Sequence, residues 1–124
     1  MKLRTTNNSV RLRLNKDDVE TMRTQNCLCC TILFPGEIAS YFSYSLIATD
    51  EPEISMNYLT NHLRIYAPTT VLSKWYAEEE VGFSSEIITS GGDSFKILVE
   101  KDFQCLSPRA EDESRMFPNP NKHC

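Results

Sequence analysis

The sequence predicts an α+β fold: two internally duplicated β-β-α-β-β units forming a strongly curved or barrel-like antiparallel sheet with two helices. Two stretches, 9–14 and 62–67, alternate apolar and polar residues with period two, the mark of a strand covered on one face. Each is followed by a segment of helical character. A shift of the chain against itself by 53 residues then lays Val10 on Leu63, Arg11 on Arg64, Leu12 on Ile65, Val19 on Leu72 and Met22 on Trp75. The same shift carries Leu28 onto Val81, Cys30 onto Phe83, Phe42 onto Phe95, Tyr44 onto Ile97 and Leu46 onto Val99. A constant offset through strand, helix and strand points to tandem copies, at about 1–53 and 54–106.

The elements follow in order. A strand near 1–6 precedes the alternating strand 9–14. Asn15 then caps a helix over 16–25, with Asp17 and Asp18 in the first turn, where the positive end of the helix dipole favours acids. Strands are expected at 28–34 and 41–49, broken by the turn residues Pro35 and Gly36. The second copy repeats the plan with strands near 53–59 and 62–67 and a helix over 68–79, opened by Pro68 and burying Leu72, Trp75 and Tyr76. Its last two strands, 82–89 and 94–101, are separated by Gly91 and Gly92. From Ser107 to Cys124 three prolines and an acidic triplet read as a polar tail, with Met116 and Phe117 as its apolar anchors.

Charge is unevenly distributed. The net value is −4, yet Lys2, Arg4, Arg11, Arg13 and Lys16 give the first sixteen residues +5 with no acid. A nucleic-acid binder shows a basic excess over its whole domain, and the acidic pI near 5.2 argues against that class. No run approaches the ~18 apolar residues of a membrane helix, and the opening residues lack the apolar block of a signal peptide. A cytoplasmic protein with five thiol cysteines is therefore expected.

Side chains alternate across a strand, so Arg11 and Arg13 stand opposite Val10, Leu12 and Leu14. Extended over all strands, this places Lys2, Arg4, Arg11, Arg13, Arg64 and Lys96 on one face of the sheet. Buried guanidiniums without partners cost several kcal/mol each. That face is then either solvated and laced with Glu53, Glu86 and Glu100, or it holds an anion, for which the arginine fork is suited. The candidate ligand-binding residues are Arg4, Arg11, Arg13, Arg64, Lys96 and Glu100.

Other chemistry is less supported. Cys27 and Cys30 have C-x-x-C spacing and His123 and Cys124 end the sequence, but CLCCTILF reads as a strand, on which Cys27 and Cys30 face opposite ways. His62 reads as a surface histidine, with no support for pairing with Cys105 or another thiol. The runs Glu78–Glu80 and Glu111–Glu113 read as solvated ends. Lys101, Asp102, Cys105, Arg109, Glu111 and Asp112 would converge if the tail folds back.

The opening MKLR and NSVRLRL, the middle VGFSSEI, and VEKDFQCL followed by EDES and FPNP resemble a family of small bacterial proteins of unknown function. That resemblance covers nearly the whole chain and implies no activity. A second likeness is architectural: a duplicated β-α-β-β-β unit, 9–60 and 61–101, is similar to the CYTH-like triphosphate-tunnel phosphatases, whose strands enclose a basic channel. Their E-x-E-x-K signature is replaced here by Lys2-Leu3-Arg4.

The leading expectation is non-catalytic binding of a small anionic or phosphorylated ligand, with no cofactor, metal or membrane involved. The alternatives are a metal-dependent triphosphate hydrolase of tunnel type using Glu86 and Glu100, and a protein-interaction module using the acidic tail. Oligomeric state is not expressed in the sequence.

Overall fold

Alternation in the strands and capping at the helices produce ten elements in a computed structural model that describes residues 1–38, 40–77, 79–104 and 112–120. They run β1 (Lys2–Thr6), β2 (Ser9–Leu14), α1 (Lys16–Gln25), β3 (Cys27–Phe34), β4 (Ser40–Thr49), β5 (Ser55–Leu59), β6 (His62–Pro68), α2 (Thr69–Tyr76), β7 (Gly82–Ile88) and β8 (Ser94–Lys101). Asn15 caps α1 through a reciprocal pair: its Oδ1 accepts from the Asp18 amide at 2.9 Å, and Asp18 Oδ2 accepts from the Asn15 amide at 3.0 Å.

The strands form two open four-stranded sheets, ordered β1-β2-β8-β7 and β3-β4-β6-β5. The expected single curved or barrel-like antiparallel sheet is thereby corrected. In each sheet the outer pairs are antiparallel, but the central pairs, β2·β8 and β4·β6, are parallel. Alternation specifies which face of a strand is buried and is silent about which strand lies at its edge, so the mixed pairing was invisible to it.

By its contacts the chain divides into two units, Met1–Glu20 with Glu78–Cys124, and Thr21–Ala77. In the first, Val10, Leu12 and Leu14 of β2 and Ile97 and Val99 of β8 are buried, side by side along the parallel ladder. The described part of the tail folds onto this unit. Met116 is buried, the Phe117 amide donates to the Asp102 carbonyl at 2.9 Å, and Phe117 meets Phe103 edge-on at 5.9 Å between centroids.

In the second unit, α2 packs against β4 and β6 and buries Leu72 and Trp75. It is shorter than the expected 68–79. Pro68 completes β6 in an extended conformation, and Ala77 is extended again. The acidic run that begins at residue 78 would set negative charge at the negative end of the helix. Thr60 and Asn61, at φ 53° and 58°, form the left-handed two-residue turn of the β5–β6 hairpin.

Gly82 is a close-approach glycine: a Cβ there would lie 2.6 Å from the Val99 carbonyl oxygen and 2.9 Å from Glu100 Cβ. Gly82→Ala is expected to destabilise the chain by about 1–3 kcal/mol, read as a lower midpoint of chemical denaturation. Trp75, 1% exposed, anchors the second unit. Trp75→Ala is expected to cost about 3–5 kcal/mol by the same measurement.

Candidate functional site

The first sheet sorts its side chains by register. Across β1·β2, Lys2 lies opposite Arg13 and Arg4 opposite Arg11. Across β2·β8, Ser9, Arg11 and Arg13 lie beside Lys96, Leu98 and Glu100. Across β7·β8, Glu86 faces Lys96 and Ser84 faces Leu98. Directly paired residues share a face, so Lys2, Arg4, Arg11, Arg13 and Lys96 gather on the side opposite Val10, Leu12, Leu14, Ile97 and Val99.

Two carboxylates, Glu86 and Glu100, share that face with the five cations. Glu100 Oε1 accepts from Arg13 Nε at 2.8 Å and lies 3.5 Å from Arg11 Nε, so one acid serves two guanidiniums. Lys2 Nζ reaches Asp102 Oδ2 at 3.0 Å, and Glu86 accepts from the Ser94 hydroxyl. Among the described residues no carboxylate pairs with Arg4 or Lys96. Like charges directly opposed, as Arg4 and Arg11 are, disfavour each other.

Two hollows meet on this face at Arg11. One, of about 590 Å³, is lined by Ser9, Arg11, Ser84, Glu86, Lys96 and Leu98. The other, of about 290 Å³, is lined by Lys2, Leu3, Arg4, Arg11 and Arg13.

Arg64 does not belong to this face. It lies on β6 of the second sheet, opposite Asn57 and beside Ser45. The expectation that Arg64 joins the other basic residues on one sheet is corrected, because the terminal hairpins β1–β2 and β7–β8 build one sheet and the central hairpins β3–β4 and β5–β6 build the other. Glu100 is an arginine counter-ion, and the described residues contain no cluster of three or more His, Cys, Asp or Glu suited to a metal. Of the residues expected to converge at the tail, Lys101 and Asp102 are buried. Cys105, Arg109 and Glu111 lie outside the described residues, as do Glu78, His123 and Cys124.

The second sheet carries a constellation that sequence reasoning missed. His62 Nε2 lies 2.6 Å from Ser45 Oγ and 3.9 Å from Cys29 Sγ. Alternation places these residues on the polar faces of β6, β4 and β3, but only the strand order brings them together. Cys27 and Cys30 face opposite sides of β3, as expected.

Desolvation, and to a lesser extent the nearby Arg64, hold the His62 imidazole below its ordinary pKa. The unfolded chain then takes up this proton first, so acidification from about pH 6.5 downward favours unfolding. In NMR titration the His62 ring is expected to protonate below about pH 6.5. Arg64→Gln is expected to raise that midpoint only partway, because desolvation remains.

No curated protein and no solved structure matches the chain. Over residues 1–121 it matches a family of unknown function (DUF7009), covering both sheets, both helices and the basic face. The chain is a member of that family.

Proposed function

We propose that this protein binds a small anionic ligand, a phosphate ester or phosphoanhydride in particular, on the basic face of its first sheet. The observation that carries this is the opposition of Arg4 and Arg11, with Glu100 committed to Arg11 and Arg13. An anion between Arg4 and Arg11 turns their mutual repulsion into paired, charge-assisted hydrogen bonds. Lys96, in the neighbouring hollow, extends the same positive field. Thiols at Cys27 and Cys29 accord with a reducing, cytoplasmic setting.

We further infer that the two halves arose by duplication. Shifted by 53 residues, the pairing of Lys2 with Arg13 becomes that of Ser55 with Tyr66, and His62 with Ser43 becomes Lys96 beside Ser9. The β7·β8 ladder departs by two residues, Cys29 pairing with Ser45 where the shift calls for Ile47.

Calorimetric titration with inorganic phosphate, pyrophosphate and ATP tests the binding reading. At least one is expected to bind, with affinity falling as salt rises. Arg4→Gln and Arg11→Gln should each weaken it about tenfold to a hundredfold, the value of a charge-assisted bond. Glu100→Gln, which removes the competing carboxylate, should tighten it. Absence of binding across the panel, or equal binding by the arginine variants, would sink the reading.

A further inference from the structure

The open face of the second sheet is chemically unlike that of the first. Its four strands contain no carboxylate, and Arg64 is their only permanently charged side chain. The titratable and charged groups on that face are Cys27 and Cys29 from β3, Tyr41 from β4, and His62, Arg64 and Tyr66 from β6. Cys29 is exposed, whereas Ser45 is only 2% exposed. Of the two nucleophile types beside His62, the thiol is the one a reagent can reach.

We propose that Cys29 is a nucleophilic thiol that undergoes exchange with an anionic low-molecular-weight disulfide, with His62 as its proton acceptor and Ser45 as the residue that positions the ring. Burial and Arg64 favour neutral imidazole at physiological pH, which leaves Nε2 able to accept a proton. Ser45 serves both charge states. Its hydroxyl, 2.6 Å from Nε2, turns its proton away so that this nitrogen's single lone pair can take the thiol proton, and it then accepts from Nε2–H.

The step balances. The Cys29 proton passes to His62, and the thiolate attacks one sulfur of the disulfide. That S–S bond breaks as a new one forms, and the departing thiolate takes the proton back from His62. The product is a mixed disulfide on Cys29 and one free thiol. Arg64, without an opposing acid on any of the four strands, favours a reagent bearing carboxylates.

The adduct is expected to persist. Cys30 points to the other face of β3, and Cys27 lies two residues along the same extended strand. That spacing, about 6.6–6.8 Å between Cα atoms, is at the upper limit for a disulfide. Among the described cysteines none is placed to resolve the bond, so Cys29 acts as a modification site.

The test uses the full chain and oxidised glutathione, with intact mass and peptide mapping to locate the adduct and its rate followed against pH. Thiolation is expected at Cys29 first, at a rate that falls as acid protonates His62. Cys27→Ser should leave it unchanged and Cys29→Ser should abolish the fast phase. His62→Gln should slow it about tenfold or more near neutral pH and remove that acid-side fall. Ser45→Ala, checked for an unchanged thermal midpoint, should shift the profile part of the way. Arg64→Gln should slow oxidised glutathione more than the uncharged hydroxyethyl disulfide. Equal labelling of Cys27 and Cys29, or a His62→Gln profile identical to the parent, overturns the proposal.

Discussion

In the first sheet Leu12 and Val99 lie side by side across a parallel ladder, both fully buried. Their pairing determines what every neighbour faces. With Leu12 inward, Arg11 and Arg13 are outward, and through β1·β2 the opposing Arg4 and Lys2 must follow. A slip of β2 by one residue would send two guanidiniums, Arg11 and Arg13, into the core and three aliphatic side chains into water. The apolar side of β2 thus holds the basic side in register.

The outward face tolerates its charge because it is open and because Glu100 is shared. The side chains of Arg11 and Arg13 are 35% and 43% exposed, so water screens much of their repulsion and the ion pairs add modestly to stability. Glu100 acts chiefly in orienting the two Nε groups, leaving the remaining guanidinium nitrogens available on the surface. Arginine at these positions offers planar, forked donors that lysine could not reproduce.

Local signals were legible where the chemistry is local. Asn15, Asp17 and Asp18 marked the start of α1, and alternation assigned a buried face to β2, β6 and β8. Contacts between distant segments were not, because period-two patterning carries no information about the identity of the adjoining strand. That is why Arg64 was assigned to the wrong sheet, and why His62 read as isolated although β3 and β4 bring Cys29 and Ser45 to it. Met116 and Phe117 were visible as the tail's apolar anchors, but their docking site was not: it depends on the Asp102 carbonyl at the end of β8.

The parallel ladders also impose an order of events on the growing chain. Ser43 and His62 are near in sequence, so β4 and β6 can pair soon after both emerge from the ribosome. Ser9 must wait for Lys96, 87 residues later, or roughly 4–17 seconds at about 5–20 residues per second. Until then the aliphatic side of β2 has only β1 for a strand neighbour, and the high contact order of the finished sheet makes its closure the slow step. Nascent chains arrested before β8 would therefore be the species in greatest need of a chaperone.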